Sequence, residues 1–208
     1  MKKVSLILYI LQGFVLIAYS QEKFSSVTIG KQVWMTENLN VDKFRNGDPI
    51  PWAKTEAEWQ IANENNQPAW CYYKNSKKNQ KQYGKLYNGY ALIDERGLAP
   101  HGWHIPSCEE WDQLITYIGG VDSFPIKLVS KNGSSKFNGS DTYGFNARPS
   151  GLRWDGGSFD KLGISAYWWT KDEHFSSQNF WYYAIEEGRL IKDFHGADYG
   201  FSIRCLKD

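Results

Sequence analysis

Gly97-Leu98-Ala99-Pro100-His101-Gly102-Trp103-His104-Ile105-Pro106-Ser107-Cys108-Glu109-Glu110-Trp111 carries the clearest structural instructions in this chain. Ser107 to Glu110 is a capping box: the Ser107 hydroxyl can accept the backbone N–H three residues on, while the Glu110 carboxylate reaches back. Trp111, Leu114, Ile115 and Ile118 then recur at i, i+3, i+4 and i+7, and Gly119-Gly120 stops the helix. Upstream, the turn-like Gly102 separates His101 from His104, a spacing unsuited to a helical metal pair. No metal site and no cofactor are expected from these residues, and His104 reads as a packed residue at the helix approach.

A second capping box, Thr55-Glu56-Ala57-Glu58, opens a short helix that offers Trp59 and Ala62 as its apolar face. Nearer the start, Val27 to Trp34 reads as a hairpin around Gly30, and Ala69 to Tyr73 as a strand. Leu86, Tyr87, Tyr90, Ala91 and Ile93 follow at helical spacing. Beyond residue 140 come short aromatic strands: Gly144 to Ala147, Gly151 to Trp154, Ala166 to Thr170, Phe180 to Ile185, Arg189 to Phe194 and Phe201 to Leu206. Glu186-Glu187-Gly188 joins two of them as a hairpin. A strand pair, two helices and a run of strands is α+β order rather than a parallel βαβ repeat, and the first and last strands are expected to pair.

Ten Trp, 13 Tyr and 11 Phe among 208 residues mean that the core is built from rings. Rings bury large areas but carry N–H and O–H groups that need partners. The formal net charge is only +1, so there is no basic field to recruit nucleic acid or anionic lipid. Lys2 and Lys3 followed by the apolar run Val4 to Ala18, with Ala18-Tyr19-Ser20 before a cut, read as a signal peptide over residues 1–20. The mature domain, 21–208, is therefore expected to be secreted or at the cell surface, with no membrane span after cleavage and an oligomeric state that the sequence leaves open.

Three cysteines fall in that mature part. Cys71 and Cys205 lie in aromatic, strand-like contexts and Cys108 at a helix start. In an oxidising compartment a Cys71–Cys205 disulfide is the preferred pairing; three reduced thiols, two of them packed as small hydrophobes, remain the alternative.

Several ordered stretches carry a family resemblance: Val33-Trp34-Met35-Thr36-Glu37-Asn38-Leu39-Asn40, Tyr83-Gly84-Lys85-Leu86-Tyr87-Asn88, Gly97 to Ser107, Gly151-Leu152-Arg153, Tyr167-Trp168-Trp169 and Gly200-Phe201-Ser202-Ile203-Arg204-Cys205. From about Val27 to the C-terminus the chain resembles the Fibrobacter succinogenes major paralogous domain, a family of secreted and surface proteins. That family is similar in turn to the C-type-lectin-like fold shared with formylglycine-generating enzymes. The resemblance implies an α+β domain with two helices, short antiparallel strands and paired termini. Cys108 departs from the family pattern, which makes it the expected unpaired thiol.

Catalysis finds little support. There is no Gly-x-Ser-x-Gly elbow and no phosphate loop, and the cysteines do not match the context of the formylglycine-generating enzymes. A calcium-dependent sugar site is unsupported as well, because Gln67-Pro68-Ala69 lacks the carboxylate and no Trp-Asn-Asp occurs. The expectation is a non-catalytic domain that binds an extracellular ligand such as a glycan, the alternatives being a structural or adhesion scaffold and, after it, an enzyme related to the formylglycine-generating enzymes. Trp154-Asp155-Gly156-Gly157 and Trp168-Trp169 lie in the loop-rich half, and adjacent strand residues face opposite sides. Arg153, Trp154, Asp155 and one of Trp168 or Trp169 are the expected ligand-contacting surface, with Arg153 adding a planar donor.

Overall fold

A hairpin, β1 (Ser26–Ile29) and β2 (Gln32–Met35), opens the domain, with Ile29 paired to Gln32 across Gly30 and Lys31. A computed structural model describes residues 24–131, 133, 139–175 and 178–208. The expected signal peptide, 1–20, lies outside them. No helix among the described residues is long and apolar enough to cross a membrane.

Helix α1 (Glu56–Glu64) begins at the Thr55 capping box and buries Trp59 and Ala62. Strand β3 (Trp70–Cys71) is shorter than expected, because the chain turns into 3-10 segments at Tyr73–Asn75 and Lys77–Asn79 before α2 (Gln80–Tyr83). Leu86 and Tyr87 form β4 (Leu86–Tyr87), paired with Cys71 and Trp70, and only then does α3 (Gly89–Leu92) start, capped by Asn88. Strand β5 (Trp103–His104) leads to α4 (Cys108–Tyr117), whose Ser107 capping box is fully formed and whose Trp111, Leu114 and Ile115 are buried. A further short helix, α5 (Phe124–Leu128), follows with Pro125 in its first turn, where a missing N–H costs nothing.

The remaining elements are strands: β6 (Ser150–Arg153), β7 (Phe159–Leu162), β8 (Ala166–Glu173), β9 (Asn179–Glu186), β10 (Arg189–Gly196) and β11 (Leu206–Lys207). They build a five-stranded sheet in the order β10-β9-β8-β6-β7, while β1-β2-β11-β5 form a second sheet. The C-terminal strand does join the N-terminal hairpin, through Leu206 opposite Trp34 on β2 rather than on β1.

These findings overturn the expected C-type-lectin-like α+β domain with two helices. Strand outweighs helix, 32% against 21%. Five α-helices are described, none longer than the ten residues of α4. The strands are not all antiparallel either, since Gly151 and Ala166 pair β6 with β8 in parallel. The physical reason lies in the aromatic segments beyond residue 150. They extend into eight-residue strands, of which β8 and β9 are largely buried on both faces, so the sheet organises the domain and the short helices cover it.

On one face of that sheet Trp168, Tyr183 and Ile185 pack with Trp34, Trp111, Phe124 and Phe145. Trp111 stacks on Tyr183 with centroids 5.4 Å apart. On the other face Tyr167, Trp169, Phe180, Tyr182 and Ala184 pack with Phe201, Tyr87 and Ile203. A third cluster gathers Trp59, Cys71, Tyr73 and Leu86. Arg204 is fully buried; its guanidinium donates to Asn38 Oδ1 and to the carbonyls of Met35 and Phe145, so its charge ends loops that would otherwise leave bare carbonyls.

The expected Cys71–Cys205 disulfide is absent. All three cysteines are free thiols, Cys71 and Cys205 buried and Cys108 partly buried. The cause is packing: Cys71 belongs to the cluster around Trp59 and Tyr73, whereas Cys205 lies in the one around Tyr87 and Phe201.

Candidate functional site

Cross-strand register fixes which side chains share a face. Tyr182 pairs with Asp193 and Phe180 with His195, so all four side chains lie on the Trp169 side of the sheet. At the end of β10 the chain turns through Gly196, Ala197 and Asp198 and returns as Tyr199 and Gly200. Gly200 exchanges two backbone hydrogen bonds with Arg153, N–H to O at 2.8 and 2.9 Å. This pairing brings the turn after β6 alongside Tyr199.

The result is a row of rings. His195 lies parallel to Tyr199, with centroids 4.0 Å apart and planes at 8°, and parallel to Tyr182 at 5.4 Å and 6°. Trp154 stands at 69° to Tyr199 with centroids 5.7 Å apart. Trp154, His195 and Tyr199 are each half-buried, and Asp155 is exposed. The Asp198 carbonyl is anchored from α1, accepting hydrogen bonds from Trp59 Nε1 at 3.0 Å and Asn63 Nδ2 at 2.9 Å. The row is therefore held on a rigid support.

Burial pushes the His195 imidazole below its ordinary pKa, against the opposing pull of Asp193, Asp198, Glu186 and Asp155. Burial raises the Asp198 carboxyl, helped by Asp155 and opposed by the N–H groups of Asp198 and Tyr199 and by His195. Burial and the neighbouring Asp155 and Asp198 also raise Tyr199. Burial thus makes the charged forms of His195 and Asp198 costlier than they are in water.

The expected ligand surface is only partly assembled. Trp154 and Asp155 do stand at the surface, on the turn between β6 and β7. Arg153 does not: it is fully buried and offers no donor to a ligand. Its guanidinium donates to the carbonyls of Gly157, Ala53 and Thr55 at 2.9, 2.9 and 2.7 Å, and stacks over Trp59 and Phe159. It ties the β6–β7 turn to the loop before α1. Trp168 and Trp169 face opposite sides, yet both are 0% exposed because the sheet is covered on both faces. Their indole N–H groups are used internally, Trp168 to Asn38 Oδ1 and Trp169 to the Tyr87 carbonyl. Neither ring has an exposed face to offer a ligand.

Sequence reasoning missed His195, Tyr199 and Asp198. The run Arg189 to Phe194 reads as a strand, but the ring stack depends on the turn that folds Tyr199 back over His195. A separate hollow of about 940 Å³ is lined by Met35, Leu39, Phe44 and Leu98 with Asp42 and Arg45. It contains none of the expected residues, and Arg45 is already engaged with the Ala99 and Trp103 carbonyls. Among the described residues no group of three or more His, Cys, Asp or Glu side chains could hold a metal ion.

A family model described as the Fibrobacter succinogenes major domain matches residues 27–207. No curated protein and no solved structure gives a match.

Proposed function

The chain belongs to the Fibrobacter succinogenes major domain family, and from that premise we propose that it is a non-catalytic secreted or cell-surface domain that binds an extracellular carbohydrate. The observation that carries this reading is the aromatic corner formed by Trp154 and Tyr199, backed by His195 and flanked by Asp155 and Asp198. Half-exposed rings at a large angle give a pyranose an apolar face to stack on, and nearby carboxyl groups take pairs of hydroxyls. Because Trp59, Asn63 and Arg153 fix the supporting loops, little ordering entropy is lost on binding. The run from Lys2 to Ser20, with the character of a signal peptide, supports an extracellular address.

The test is a panel of plant, microbial and host glycans followed by intrinsic Trp fluorescence, comparing the wild-type protein with Trp154→Ala. A saturable change in the wild type that is lost in Trp154→Ala supports the reading. A silent panel, or a response unaltered in the variant, removes it.

A further inference from the structure

Asp193 shares the strand face of His195, Asp155 and Asp198 adjoin Trp154 and Tyr199, and these three together with the more remote Glu186 act on the His195 imidazole. Asp193 and Glu186 also bear on Tyr182, and Asp155 and Asp198 on Tyr199. Among the described residues, none of these four carboxylates forms an ion pair with a lysine or arginine. Their hydrogen bonds are local. Asp155 accepts the Gly156 N–H and Asp193 accepts the Phe194 N–H. Elsewhere the protein pairs carboxylates in the usual way, as in Asp112 with Lys192 and Asp94 with Arg96.

Resting on the carbohydrate reading, we propose that the platform of Trp154, Tyr199 and His195 selects a glycan carrying free amino groups over neutral and acidic glycans. The rings supply the stacking face and also attract a cation through their quadrupoles. The surrounding carboxylates supply negative charge that no lysine or arginine among the described residues pairs. An N-acetylated sugar keeps the shape but loses the charge. A uronic acid brings a further negative charge beside these carboxylates and is disfavoured. Charge complementarity thus decides among sugars that the rings alone would accept equally. A lysine-rich peptide would satisfy the carboxylates but has no flat apolar face to set against Trp154 and Tyr199.

Isothermal titration of the protein at fixed ionic strength with oligomers of glucosamine, N-acetylglucosamine, glucose and galacturonic acid tests this inference. The glucosamine oligomer is expected to bind about fivefold more tightly than the glucose oligomer, the scale of a few near-surface charge pairs, and galacturonate most weakly. In the variant carrying Asp155→Asn and Asp193→Asn the ratio of glucosamine to glucose affinity falls towards one. Equal affinities in the wild type, a preference for galacturonate, or a ratio unchanged in the variant would overturn charge selection while leaving the carbohydrate reading in place. Polylysine binding as tightly as the glucosamine oligomer would overturn the choice of a sugar. Binding of no oligomer at all would remove the carbohydrate reading, and this inference with it.

Discussion

The imidazole of His195 lies flat against the ring of Tyr199, 4.0 Å between centroids, although the two residues sit on opposite sides of the turn that ends β10. That contact joins the five-stranded sheet to the loop that carries the candidate site.

The tryptophans divide into two kinds. Trp168→Ala or Trp169→Ala empties a fully buried position and is expected to cost about 3–5 kcal/mol of stability. Trp154→Ala removes a half-exposed ring and is expected to cost well under that while abolishing ligand binding. Urea denaturation of the three variants checks the order; a Trp154→Ala loss as large as that of Trp169→Ala would place Trp154 in the core instead.

Gly200 is a packing position. A Cβ there would stand 2.9 Å from Arg153 Cβ and 3.0 Å from the Trp59 ring. Gly200→Ala should therefore destabilise the domain by about 1–3 kcal/mol through overpacking, and weaken ligand binding by moving Tyr199 against Trp154. A thermal melt with a parallel binding titration measures both effects.

The cysteines should behave as three unpaired thiols. Burial pushes Cys71 up to about 11 and Cys205 up to about 12, partly opposed by Arg153 and Arg204 respectively. Cys108 is also raised to about 11 by burial. A thiol reagent at pH 8 should react slowly with the native protein and fastest at Cys108, then count three thiols in denaturant without prior reduction. Because the folded state holds these protons more tightly than the unfolded chain, stability is fully present below about pH 8.5. It should fall as pH rises from there through about 11 to 12.

Acid acts on His195. Its folded pKa is lowered, so below its ordinary value of about 6.5 the unfolded chain takes up a proton that the folded state resists. Stability from this residue is present above that pH and declines as pH falls through the window beneath it. Asp198, with a raised pKa, has the opposite sign at lower pH. His195→Phe keeps the stack and removes the titration. Its melting temperature should change less between pH 7 and about pH 5.5 than that of the wild type, and an equal slope in both proteins would assign the acid response elsewhere.

What can be read from the sequence is local. Ser107 with Glu110 and Thr55 with Glu58 announce their helices because a capping box is complete within four residues. Glu187 and Gly188, both at positive φ, likewise mark the turn between β9 and β10. Leu86 and Tyr87 sit at helical spacing yet form a strand, because their pairing partners, Cys71 and Trp70, lie well upstream. Arg153 is buried rather than presented for the same reason: its three carbonyl acceptors include Ala53 and Thr55, which are 100 and 98 residues away in sequence. Trp168 and Trp169 do alternate, but nothing local reveals that both sheet faces are covered. Of the site, the Trp154-Asp155 turn is legible, whereas His195, Tyr199 and Asp198 meet only through sheet register and the Gly200–Arg153 pairing.

The platform can be watched directly through the indole N–H resonances of the protein as an oligosaccharide is titrated in. The account predicts that the Trp154 signal shifts with ligand while those of the buried Trp59, Trp111, Trp168 and Trp169 hold still. Binding that moves Trp52 or Trp181 and leaves Trp154 unchanged would contradict it.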